Sequence, residues 1–191
     1  ATRAFNLMGY NPQIEFLPWK RALTAARIGT VVGILTCAYT EERQKYLSME
    51  VAISTFTNGF YTRENFSGPA PKSLGDVAGY STAANSAYES LQALKNAGYS
   101  PLAVRDTKQA LRMLKASRFD YYYAAKEATD FQIKRLALAG QFKFHPIVEK
   151  AFFFCFSKAY PNVELISEQF RKTLKHMKEN GEYRKIHAKY R

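Results

Sequence analysis

The run Val31 to Ala38, VVGILTCA, constrains the fold of this chain more than any other stretch. It is short, almost wholly apolar and rich in β-branched side chains, which is the pattern of a strand buried on both faces of a parallel sheet. A polar turn, YTEER, follows directly and ends in Arg43. In open α/β sheets, ligands sit at the carboxyl ends of the strands. A guanidinium placed there offers a fixed fork of donors that matches a carboxylate or a phosphate. On spacing alone, a surface arginine in a helix's first turn is the simpler reading.

The segments around this run alternate between strand and helix patterns. Ile14 to Leu17 carries a short strand signal. Pro18 then opens a helix at the position where a missing N–H costs nothing, with Trp19, Ala22, Leu23 and Ala26 as its apolar stripe and Gly29 as its stop. A strand–helix–strand unit of this length predicts a parallel crossover. Val51 to Phe56 and Phe60 to Thr62 are β-rich segments around Asn58-Gly59, and Ser67-Gly68-Pro69-Ala70-Pro71 is a loop. A second series follows: a weak strand at Ser81 to Ala84, a helix from Ser86 to Ala97 stopped by Gly98, and a strand at Leu102 to Val104. Asp106 or Thr107 can cap a helix that buries Ala110, Leu111 and Leu114, and Phe119 to Ala124 is another strand. Ala151 to Phe156 is an aromatic strand. Val163 to Asn180 is a helix lined by Val163, Ile166, Phe170, Leu174 and Met177, with Gly181 as its stop. Two α/β units separated by a Pro/Gly loop, closed by a strand and a helix, place the chain in the α/β class.

A chain of 191 residues holds one compact domain or two small lobes, and 47 % hydrophobic content is enough for a real core. The longest stretch free of charge, Ile28 to Thr40, is shorter than the roughly 20 apolar residues of a membrane span. Ala1 to Phe5 lacks the apolar centre of a leader peptide. The net charge is +12, and half of it comes from Arg171 to Arg191, where eight basic residues face Glu179 and Glu182. The basic residues are spread over helices and interrupted by acids, which reads as solvated surface with an excess that favours an anionic ligand. Charge is the only support for a nucleic-acid module. Cys37 and Cys155 lie in apolar runs without a CxxC or a histidine at ligand spacing, so they read as two buried small hydrophobes. Whether they pair depends on which strands are neighbours. His145 reads as a loop residue, and His176 and His187 belong to the basic face; none has a triad partner.

Five motifs occur in an order that resembles one family: PWKRAL, YTEER ahead of Tyr46-Leu47-Ser48, Ser73-Leu74-Gly75-Asp76-Val77-Ala78-Gly79-Tyr80, PIVEKAFFFCFSKAYPN, and Gly181-Glu182-Tyr183-Arg184-Lys185-Ile186. Together they resemble type II periplasmic solute-binding proteins, more narrowly the amino-acid-type (family 3) receptors of ABC transporters. The resemblance implies two α/β lobes joined by two β crossovers, near Val51 to Phe56 and Ala151 to Phe156, which close on a small ligand by a hinge motion. Lobe 1 would be residues 1–53 and 154–191, and lobe 2 residues 54–153. The family's first strand has no counterpart here.

Family roles carry over where positions match. The resemblance implies that Arg43 anchors a ligand carboxylate, with Thr36 giving a hydroxyl and a backbone hydrogen bond and Ala38 the backbone one alone. Asn85-Ser86-Ala87 is similar to the family's helix-start turn, where backbone N–H groups and the Ser86 hydroxyl would bind an anionic group; a plain N-cap explains Ser86 as well. Ser117-Arg118-Phe119-Asp120 matches the lead to the aspartate that pairs with a ligand's α-ammonium, but that site is Ala125 here. Glu127 is the nearest acid, and a carboxylate in a helix's first turn explains it equally. A carboxylate ligand without an ammonium, or with its amine held elsewhere, fits this pattern better than an α-amino acid. Trp19 could be an aromatic platform, although its stripe position favours the core. The implied protein is a non-enzymatic, monomeric periplasmic receptor that passes a small polar solute to a permease in the inner membrane, with no cofactor, metal or nucleic acid. The alternatives are a dehydratase-like enzyme using Glu127 as general acid and a ligand-sensing domain.

Overall fold

Two long strands organise the chain: β2 (Leu47–Arg63) and β6 (Phe142–Ser157). The computed structural model describes residues 1–86 and 88–188. It divides into one unit of Ala1–Ser54 with Ala151–Arg191 and a second of Thr55–Lys150, so the chain passes from unit to unit within β2 and again within β6.

The first unit contains α1 (Thr2–Leu7), α2 (Trp19–Arg27), β1 (Gly33–Ala38), α3 (Glu41–Gln44), α7 (Val163–Glu179) and α8 (Glu182–Ala188) around its parts of β2 and β6. Its strand order is β1-β6-β2. The two-residue period of β6 divides the core. Phe154 and Phe156 join Phe5, Ile166, Phe170 and Leu174 on one face, while Cys155 joins Ala26, Ile34, Cys37 and Leu47 on the other. All five stripe residues of α7 are buried. Phe170 sits 5.0 Å from Phe5 and 5.3 Å from Phe154, centroid to centroid.

Several expectations are corrected here. Ile14 to Leu17 forms no strand, and Phe16 is 94 % exposed, so the predicted parallel crossover is absent. Pro18 is the N-cap of α2 and not its first helical residue, which is Trp19, one position later than predicted, and Gly29 ends the helix with φ +76°. β1 is neither parallel nor buried on both faces. It pairs antiparallel with β6, from Gly33 opposite Phe156 to Ala38 opposite Phe152, and it ends the strand order among the described residues. Leu35 is accordingly 44 % exposed. This pairing brings Cys37 and Cys155 to a Cα–Cα distance of 6.1 Å, and they form a disulfide.

The second unit contains β3 (Thr82–Asn85), α4 (Glu89–Asn96), β4 (Leu102–Val104), α5 (Thr107–Lys115), β5 (Tyr121–Ala125) and α6 (Lys126–Arg135). β4, β3 and β5 run parallel, and β5 pairs antiparallel with β2 from Asn58 opposite Ala125 to Tyr61 opposite Tyr122. The tyrosine run follows the strand period: Tyr122 faces Ala110, Leu114 and Phe119, while Tyr121 and Tyr123 face Phe60, Leu91 and Leu94. Asp106 caps α5 by accepting from the Gln109 N–H. Asn58-Gly59 sits inside β2 and makes no turn, and His145 lies in β6, where its Nε2 is 3.2 Å from the Thr62 hydroxyl. Burial and the nearby Lys143 lower the pKa of that imidazole. No helix among the described residues is long and apolar enough to cross a membrane.

Candidate functional site

In the first unit the predicted residues gather at the end of β1. Thr40 is the N-cap of α3, its hydroxyl accepting from the Arg43 N–H. That cap turns the Arg43 side chain back over the strand it follows. Its Nη1 donates to the Ala38 carbonyl at 2.9 Å, and its Cζ lies 5.0 Å from the centre of the Trp19 ring. Arg43, a residue that carries charge at every accessible pH, is only 5 % exposed. Trp19 itself packs partly against the Ala26, Ile34 and Leu47 cluster, so it serves both core and arginine. Arg43, Ala38 and Trp19 come together as one group. Thr36 lies on the same strand, half-buried, and no side-chain hydrogen bond among the described residues ties it to them.

In the second unit the predicted residues lie at the carboxyl ends of the parallel strands. Asn85 ends β3 and is buried; its Nδ2 donates to the Thr107 hydroxyl at 3.0 Å and its Oδ1 accepts from Tyr122 at 2.9 Å. The side chain therefore ties β3 to α5 and β5. Ser86 does not start a helix: α4 begins at Glu89 with Tyr88 as N-cap, and the Ser86 N–H is taken by the Val104 carbonyl at 2.8 Å. The sheet edge claims that donor before a ligand can. Ala87 lies outside the described residues. Glu127 is exposed in the first turn of α6, with both carboxylate oxygens 3.2 Å from the Thr57 N–H, so it tethers β2.

A family model for bacterial extracellular solute-binding proteins, family 3, matches residues 1–191. The chain belongs to this family. Solved structures agree on the type II periplasmic-binding-protein fold. A histidine kinase sensor domain with similarity to periplasmic binding proteins matches with TM-score 0.87 and 21 % identity over 99 % of this chain and 82 % of that one. The arginine-, lysine-, histidine-binding protein ArtJ of Geobacillus stearothermophilus matches with TM-score 0.82 and 16 % identity over 98 % and 81 %. An ancestral amino-acid-binding protein, precursor of a cyclohexadienyl dehydratase, gives 0.80 and 16 % over 99 % and 81 %. No curated protein matches the sequence.

For a family 3 protein, the second unit holds a polar group that sequence reasoning missed. Glu89, in the first turn of α4, has a side chain only 13 % exposed. Its Oε1 accepts from Lys150 Nζ at 2.5 Å and its Oε2 from the buried Asn58 Nδ2 at 2.9 Å. Tyr123 bonds the same Asn58, and burial, then the Glu89 charge, pushes its phenol well above the usual range. Asn58 stands opposite Ala125, the position where the sequence lacks an acid, in the β2–β5 register. Its members are 31 and 61 residues apart, and no local spacing reveals them. A depression of about 510 Å³ lies at the other ends of the strands, lined by Tyr80, Ser81, Leu102, Arg118 and Phe119, away from these residues.

Proposed function

We propose that this chain is a receptor for a small polar solute bearing a carboxylate, captured by closure of two lobes and delivered to an ABC-type permease from the periplasm. The observation that carries the reading is the placement of Arg43. A guanidinium held by the Ala38 carbonyl and the Trp19 ring at a strand's carboxyl end has its orientation set before a ligand arrives. That lowers the entropy cost of binding, and the planar fork matches a carboxylate with two parallel hydrogen bonds. The amino acids bound by structural relatives, glutamine and arginine among them, belong to this chemical class. Each lobe would contribute hydrogen bonds that exist fully only in the closed form, so ligand and closure stabilise each other.

An enzymatic role finds less support. It would rest on Glu127, whose carboxylate is engaged by the Thr57 N–H as a tether. The test is a thermal-shift screen of amino acids, dicarboxylates and small peptides, repeated with Arg43→Ala. The reading expects at least one carboxylate that raises the melting temperature of the native chain and does nothing for the variant. A ligand that stabilises both equally refutes it.

A further inference from the structure

We propose that the chain's own Lys150 pairs with the carboxylate, Glu89, to which a ligand amine at the second unit's ligand face would bind, so that the solute taken is a carboxylate without an amine at that end. This rests on the carboxylate-receptor reading above and narrows its substrate class. The carboxyl ends of the parallel strands are where a ligand meets an open α/β sheet, and here they are Asn85, Val104 and Ala125. Glu89 follows β3 by four residues, and Asn58 stands opposite Ala125, so the ligand face of this unit carries the Glu89 group.

An ammonium arriving at this face finds a carboxylate already paired with a cation. Both Glu89 oxygens are engaged, one by the Lys150 ammonium at 2.5 Å and the other by Asn58 at 2.9 Å. The Lys150 charge cancels that of Glu89, so a second cation gains no net attraction and meets like-charge repulsion. Lys150 can instead serve an acceptor. Its ammonium has three donors, only one of which the Glu89 bond needs, and its side chain is 36 % exposed. The group that fits is therefore an acceptor oxygen: a keto oxygen, a hydroxyl or a second carboxylate.

The test uses ligand pairs that differ only at the amine: 2-oxoglutarate against L-glutamate, and succinate against L-aspartate. Each is titrated calorimetrically into the full chain, into Lys150→Met and into Glu89→Gln. One charge-assisted hydrogen bond corresponds to about ten-fold in affinity or more. The native chain is expected to prefer the amine-free member of at least one pair by about that factor. Lys150→Met releases Glu89 and should remove or invert the preference, whereas Glu89→Gln should keep it. Because Lys150 is partly exposed, Lys150→Arg provides a folded control that keeps the charge and the preference. Arg43-dependent binding of the amino acid, as tight as or tighter than its amine-free partner, overturns this inference and leaves the receptor reading intact. If neither pair, nor any other carboxylate in the thermal screen, binds the native chain, both fail. A preference that Lys150→Met leaves unchanged also overturns the inference.

Discussion

Removing the disulfide between Cys37 and Cys155 should destabilise one unit selectively, by an amount the topology sets. The bond closes a loop of 118 residues, which corresponds to about 5 kcal/mol of chain entropy if the whole loop unfolds. The second unit, Thr55–Lys150, lies entirely within that loop. If it stays folded while the first unit opens, roughly twenty flexible residues remain, and the same relation gives about 3 kcal/mol. Both cysteines are buried, so a Cys37→Ala/Cys155→Ala chain also loses some packing. The assay is simple because the sequence has a single tryptophan, Trp19, in the first unit. Urea unfolding followed by its fluorescence should show a midpoint at least about 1 M lower in the double variant, taking about 1–3 kcal/mol per molar for the denaturant slope. Native chain treated with reductant should move the same way. A tryptophan transition that stays in place would refute the argument that this bond holds the β1–β6 edge together.

Two further predictions concern the second unit. Asp106→Ala removes the cap of α5 and should cost about 1 kcal/mol at neutral pH. The Gln109 N–H holds the Asp106 carboxyl below its usual 3.8, so the stabilisation is complete above that pH and fades as the pH falls through the lowered value; urea melts of native chain and variant should converge at low pH. Tyr61→Phe removes a phenol that donates to Asp130 at 2.7 Å, with the Lys126 carbonyl 3.1 Å away, and should cost about 1 kcal/mol by chemical denaturation. Burial, then the Asp130 bond, raises the phenol's pKa, so in the native chain it should stay protonated in alkaline titration until the fold is lost.

Element type was legible where one period dominates. The α7 stripe from Val163 to Met177 is all buried, because a long helix with one apolar face has one way to lie on a sheet. The Tyr121 to Tyr123 strand was equally plain. Neighbours were not legible. The composition of Val31 to Ala38 suits a central strand, yet β1 ends the order beside antiparallel β6, because apolarity records burial and not pairing direction. Ile14 to Leu17 has strand residues but, among the described residues, no strand to pair with. Ser86 looks like a cap by residue type, and a hydrogen bond to Val104, eighteen residues on, decides otherwise. At the site, Arg43 and Ala38 are five residues apart and could be read together from the sequence, whereas Glu89, Asn58 and Lys150 meet only through the fold.

The central claim is that Arg43 binds a carboxylate through its fork, and calorimetric titration of the strongest carboxylate from the screen tests it most directly. Arg43→Lys keeps the charge and loses the two-pronged geometry. Binding to the native chain is expected to weaken about 100-fold or more in this variant, because one charge-assisted hydrogen bond and the preset orientation are both lost. Equal affinity for native chain and variant would contradict the account.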